Sequence, residues 1–179
     1  LSTDDDSKKY VLPAGTSIAP GGYLVIWCDG PSGAAGLHAD FSLGLQGESV
    51  FLSDALANHV DAMTYGLQLP SFSVGRIGAE NLWQLTEPTP NGLNEVANFG
   101  APAELAVNEF LANAAPGESD WIELHNMNLT LPVSLQGLYV GTSNALHQVR
   151  SLSFVAPGGF VRLFADEDVG PDHLDFKLP

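Results

Sequence analysis

One segment of this chain is written twice, and that duplication limits the fold more than any other feature. Ala19-Pro20-Gly21-Gly22-Tyr23-Leu24-Val25-Ile26-Trp27-Cys28-Asp29 returns as Ala156-Pro157-Gly158-Gly159-Phe160-Val161-Arg162-Leu163-Phe164-Ala165-Asp166. A second block, His38-Ala39-Asp40-Phe41-Ser42-Leu43, returns as His173-Leu174-Asp175-Phe176-Lys177-Leu178, and the gap between blocks changes by only two residues. Two blocks recurring in one order mark a duplicated structural unit, short enough to begin twice in 179 residues. The copies are offset. The first begins at Leu1, level with about Val140 of the second, and runs on past the point where the second stops at Pro179. Residues 104–139 have no counterpart in the first copy. Residues 1–99 therefore read as the C-terminal three-quarters of one module, and residues 104–179 as the N-terminal three-quarters of the next, joined near Asn98-Phe99-Gly100-Ala101-Pro102. On this reading the chain belongs to a longer protein, with any address signal upstream of Leu1.

Local sequence makes the unit a β one. Gly and Pro punctuate the chain every eight to twelve residues, as at Leu12-Pro13-Ala14-Gly15, Asp29-Gly30-Pro31, Leu69-Pro70, Gly78 and Pro88. Between them lie short runs rich in β-branched and aromatic residues, such as Tyr23-Leu24-Val25-Ile26-Trp27 and Ser49-Val50-Phe51-Leu52. That spacing predicts a sandwich or barrel of short antiparallel strands. The one helical feature expected is a single turn near residues 93–97. A 45% share of hydrophobic residues supplies a real core.

Further blocks carry a family resemblance. Leu105-Ala106-Val107-Asn108-Glu109-Phe110-Leu111, then Asp120-Trp121-Ile122-Glu123-Leu124-His125-Asn126, then Gln136-Gly137-Leu138-Tyr139-Val140 resemble the opening strands of a lamin tail domain. Gly36-Leu37-His38-Ala39-Asp40-Phe41, Gly47-Glu48-Ser49-Val50 and Thr86-Glu87-Pro88-Thr89-Pro90-Asn91-Gly92 resemble the later strands and closing segment of bacterial members. The resemblance implies an all-β, immunoglobulin-like β-sandwich in each complete copy. It also implies a non-catalytic module of a large secreted or surface protein, and it carries over no catalytic residue.

Such a sandwich needs about seven strands over about 100 residues to cover its core, and unpaired strand edges invite pairing with other chains. Strands from residues 104–140 are therefore expected to complete the truncated first copy, either within the chain as a circular permutation or between chains as a strand-exchanged homo-oligomer.

Charge narrows the partners. The formal net charge is −15, from 21 acidic residues against 6 Lys plus Arg, and that field repels nucleic-acid backbones and anionic lipid. No apolar run is long enough to span a bilayer. Cys28 is the sole cysteine, so no disulfide forms within the chain, and it reads as a small buried apolar residue.

Several residues invite a chemical reading. His38 with Asp40, and His173 with Asp175, are two apart in a strand and share a face, where each pair could hold a metal or a proton. Alternation of Leu37, Ala39, Phe41 and Leu43 onto the other face favours a half-buried strand with a polar side. Acidic clusters at Asp4, Asp5 and Asp6, at Asp166, Glu167 and Asp168 with Asp172, and at Glu118 with Asp120 are candidate calcium loops, although none has a dedicated calcium spacing. Solvated turns are the default for them. Asn108 and Glu109 with Asp120 and Glu123 could be drawn as an acid/base pair, but Glu123 falls on the polar side of its strand. Trp27, Trp83 and Trp121 read as core aromatics ahead of a sugar platform. Asn128-Leu129-Thr130 fits a glycosylation acceptor, a motif short enough to arise by accident.

The expectation is a non-catalytic protein-interaction or spacer module of an exported bacterial protein, without cofactor, whose partners are another protein or neighbouring domains of the parent chain. The alternative is a calcium-dependent binding domain. Catalysis ranks behind both.

Overall fold

The computed structural model describes Leu1 and residues 9–179, and the chain is nearly all β, with 40% strand and 2% helix. The first stretch contributes β1 (Ile26–Cys28), β2 (Leu37–Ala39), β3 (Glu48–Ser53), β4 (His59–Tyr65), β5 (Ser73–Ile77), β6 (Leu82–Glu87) and β7 (Glu95–Val96). One short 3-10 turn, Pro102–Glu104, then leads into β8 (Leu105–Leu111), β9 (Asp120–Asn126) and β10 (Val133–Ser134). The chain continues through β11 (Tyr139–Gly141), β12 (Leu146–Gln148), β13 (Phe154–Val155), β14 (Phe160–Ala165) and β15 (His173–Leu174).

The largest sheet has the order β15-β14-β9-β8, with β14–β15 parallel and the other pairs antiparallel. Alternation builds its inner face. Ile122, Leu124 and Asn126 are buried along β9 while Trp121, Glu123 and His125 are half-buried between them. The register sets Leu163 opposite Ile122 and Val161 opposite Leu124, so apolar side chains from β14 and β9 meet on one side. Residues 73–96 form a second antiparallel sheet, β5-β6-β7, and β3 pairs with β4 as a hairpin.

Both copies open the repeated strand with the same turn. Gly22 N–H donates to Ala19 O at 2.8 Å, and Gly159 N–H to Ala156 O at 2.9 Å. Gly21 and Gly158 have φ of 70° and 60° at the third turn position, after a proline, which is the arrangement a type II turn requires. The strands that follow, β1 and β14, each pair in parallel with the strand of the second repeated block.

Among the described residues, two hydrophobic clusters make the core. The first gathers Ile122, Leu124, Leu135, Val149, Val155, Leu163 and Leu174 from residues 104–179. The second is mixed: Leu69, Leu85 and Ala97 from the first stretch pack with Leu152 and Phe154 from the second. Backbone pairing ties the same segments, with Gly66 N–H donating to Leu152 O at 3.1 Å and Phe154 N–H to Leu67 O at 2.9 Å. Within the chain, contacts between the two stretches run through residues 152–154 more than through 104–140 themselves; β10 reaches them by pairing with β13.

The late strands of the first stretch are therefore seated on the second copy. Val155 is 2% exposed, whereas its counterpart in the first copy, Ile18, is 57% exposed. Ala39 and Phe41 are buried, but Tyr23, Trp27, Leu43 and Leu45 stay open to solvent.

The helical turn expected near residues 93–97 is instead β7. Val96 pairs with Thr86 and Glu95 with Glu87, and Ala97 N–H donates to Leu85 O at 3.0 Å. Burial of Ala97 against Leu85 draws the segment into extended pairing, a tertiary gain that one helical turn offers no match for.

Candidate functional site

The repeated blocks place the same side-chain pair in each copy. Asp29 closes the first block and His38 opens the second, and the parallel β1–β2 pairing brings His38 Nδ1 to 2.9 Å from the Asp29 carboxylate. In the second copy His173 Nδ1 lies 2.8 Å from Asp166 Oδ1. The His38–Asp40 and His173–Asp175 pairs that strand spacing allowed do not form, in keeping with the favoured reading of a polar strand side. Asp40 is exposed, and Asp175 is 2.9 Å from His147 Nδ1. Period-two spacing puts His and the next Asp on one face, but the crossover from the preceding strand delivers a nearer carboxylate.

The second-copy pair is electrically tuned. Its hydrogen bond to Asp166 holds the His173 imidazole above its ordinary range, against partial burial, with help from the charges of Asp166, Asp172 and Asp168. Burial pushes the Asp166 carboxyl up, yet hydrogen bonds from His173, the Asp168 N–H and the Ser119 hydroxyl outweigh it and hold the group below the usual carboxylate range.

Ligand atoms of Asp166, Asp168 and His173 all lie within 4.8 Å of one another. Asp172 stands outside that triad, with its carboxylate 3.6 Å from His173 Nε2. Asp4, Asp5 and Asp6 lie outside the described residues. The imidazole in the triad makes its donor set better suited to zinc or manganese than to calcium, which takes six to eight oxygens. Hydrogen bonds already engage Asp166 within the cluster: its Oδ1 accepts from the Asp168 N–H at 3.2 Å as well as meeting His173.

Other expected residues are dispersed. Asp120 caps its loop by accepting from Ala114 N–H at 2.7 Å, and Glu123 accepts from Asn108 Nδ2 at 2.7 Å across the β8–β9 pair. Asn128 is engaged within its own turn, with its Nδ2 donating to Glu104 Oε1 at 2.9 Å and its Oδ1 accepting from Thr130 and Leu131. The tryptophans occupy three different sheets. Trp83 lies under the Arg76 guanidinium at 4.4 Å and Trp121 under Arg162 at 5.3 Å, while Trp27 is 51% exposed in place of the expected core position. Cys28 is half-buried, and that burial, with the charges of Asp29 and Glu48, pushes its thiol up.

No family model, curated protein or solved structure matches this chain.

Two apolar grooves went unread in the sequence. One, of about 430 Å³, lies between the β3–β4 hairpin and β5–β6 and is lined by Leu45, Val50, Leu52, Met63 and Trp83. Its Asp61 is bound by Arg76 at 2.8 Å, and its Tyr65 hydroxyl, held up by burial and then by Glu48, donates to Glu48 at 3.1 Å. The other, of about 580 Å³, runs beside β8 and the β11–β12 hairpin, lined by Val107, Phe110, Leu138 and Val149.

Strand edges are the remaining candidate. β14 is flanked by β9 on one side and β15 on the other, whereas β1, among the described residues, is paired only with β2. β8 also has an outer edge, but a register shift between Val107 and Glu109 bends it and places charge on it.

Proposed function

We propose that this chain is a non-catalytic interaction and spacer module of lamin-tail type, part of a larger exported or surface protein of bacterial origin. The observation that carries this reading is the set of exposed large apolar side chains on β1, just before it and in the segment after β2. Tyr23, Trp27, Leu43 and Leu45 are each between 46% and 53% exposed there. Apolar surface of that kind marks a contact region for protein, and an unpaired strand edge supplies backbone groups for it. The lamin-tail resemblance, with its non-catalytic modules beside other domains, supports the spacer role, and the acidic surface disfavours nucleic acid and anionic membrane.

Sedimentation velocity of the chain across a wide concentration range tests the reading. The expected result is reversible association that Trp27→Glu and Leu45→Glu abolish while the melting temperature holds. Turnover of ester, phosphodiester, glycoside or peptide probes above the buffer rate would overturn it.

A cation-binding role is the second reading, favoured by the Asp166, Asp168 and His173 triad. Melting temperatures measured with calcium, with zinc and with chelator separate it from the first, because a bound ion raises stability by mass action.

A further inference from the structure

We infer that the outer edge of residues 23–28 is a seat for an extended antiparallel strand carrying the sequence pattern of β9. This rests on the interaction reading above and names the partner's chemistry.

The repeat supplies the reasoning. In the second copy β14 spans six residues, and all six pair with β9, whereas only Phe164 and Ala165 pair with β15. In the first copy, β1 spans three residues, each paired with β2. Tyr23, Leu24 and Val25 have the same strand-type sequence as Phe160, Val161 and Arg162, yet they form no ladder. What β14 has and β1 lacks, among the described residues, is a neighbour in the place of β9.

Burial tells the same story. Leu163 and Ala165 are 1% and 2% exposed, while their counterparts Ile26 and Cys28 are only half-buried. The edge also lacks the usual guards against pairing: residues 23–28 include no charged residue and no proline. Register follows from the second copy. Tyr23 takes the place of Phe160, opposite a His125-like position, Ile26 sits opposite an Ile122-like position, and Cys28 opposite an Asp120-like one. The partner is therefore an extended segment with apolar side chains at alternate positions, those facing Leu24 and Ile26, as Leu124 and Ile122 face Val161 and Leu163.

The probe is a synthetic peptide of residues 118–127 added to the whole chain at up to about 1 mM, a range that detects even weak strand addition. Hydrogen exchange at residues 23–28 is expected to slow by about tenfold or more. Cys28 then reports register. A peptide bearing Asp120→Cys as an activated mixed disulfide is expected to label Cys28 at least about tenfold faster than one bearing Glu123→Cys, which faces Val25 on the other side of the strand. Unchanged exchange at residues 23–28, protection confined to β14, or equal labelling by the two peptides overturns the inference. If the chain self-associates and Trp27→Glu reverses that while the peptide protects nothing, the interaction reading stands and the β9-like partner falls.

Discussion

Asn126 is a polar side chain with no exposed surface, held because its amide donates to the carbonyls of Leu131 at 2.9 Å and Ala156 at 3.0 Å. Its oxygen accepts from Asn128 N–H at 3.0 Å, so one residue links the end of β9 to the turn before β14. Asn126→Leu leaves those carbonyls buried without donors, and chemical denaturation should show a loss of about 3 kcal/mol. The Asp166–His173 pair gives a pH signature. His173 is raised, so its contribution is full below the unfolded value of 6.5 and is lost as pH rises through the higher folded value. Asp166 is lowered, so its contribution is present above 3.8 and is lost as pH falls through the lower folded value. The melting-temperature gap between wild type and Asp166→Asn should therefore narrow as pH rises from below 6.5 through the raised folded value of His173, and NMR titration should place His173 lower in the variant. That partnership was only half legible in the sequence. Asp29 and Asp166 recur at the end of their blocks, which is a signal, but strand periodicity speaks only of neighbours on the same strand and so pointed to Asp40 and Asp175.

Strands and turns were legible because alternation and Ala-Pro-Gly-Gly are local chemistry, whereas pairing partners were not, because they depend on which apolar faces meet. β7 is the clearest instance: its helix-compatible residues go extended to bury Ala97. The seating of β5 and β6 on residues 152–154 is another, since nothing in either segment names the other. Phe154 sits at that joint, buried in the mixed cluster and stacked on Phe99 at 6.0 Å. Phe154→Ala should cost about 3–5 kcal/mol. The distinguishing measurement is hydrogen exchange in β5 and β6, which should lose protection although they lie some 70 residues away in sequence. If β5 and β6 keep wild-type protection, the mixed cluster does not hold them.

Across the molecule, a net charge of −15 acts on a chain with only 6 Lys plus Arg, of which Arg76 is held by Asp61 and Trp83, Arg162 by Trp121, and Lys177 by Glu167. Self-repulsion of that size weakens the compact state and is screened by salt within about 10 Å at 0.1 M. Raising sodium chloride from about 20 mM to about 500 mM should lift the melting temperature by about 2–5 °C, and a flat thermal scan would show that the carboxylates lie beyond one another's reach. The intramolecular joint between the two stretches bears on how the chain responds to a protease. Residues 98–104 connect them covalently, but the Leu67–Phe154 and Gly66–Leu152 backbone bonds and the Leu69, Leu85 and Phe154 packing connect them again in space. A single cut in that linker should leave two peptides that co-elute as one particle in native buffer and separate only in denaturant, so the chain behaves as a self-assembling split protein whose halves recognise each other without a tether.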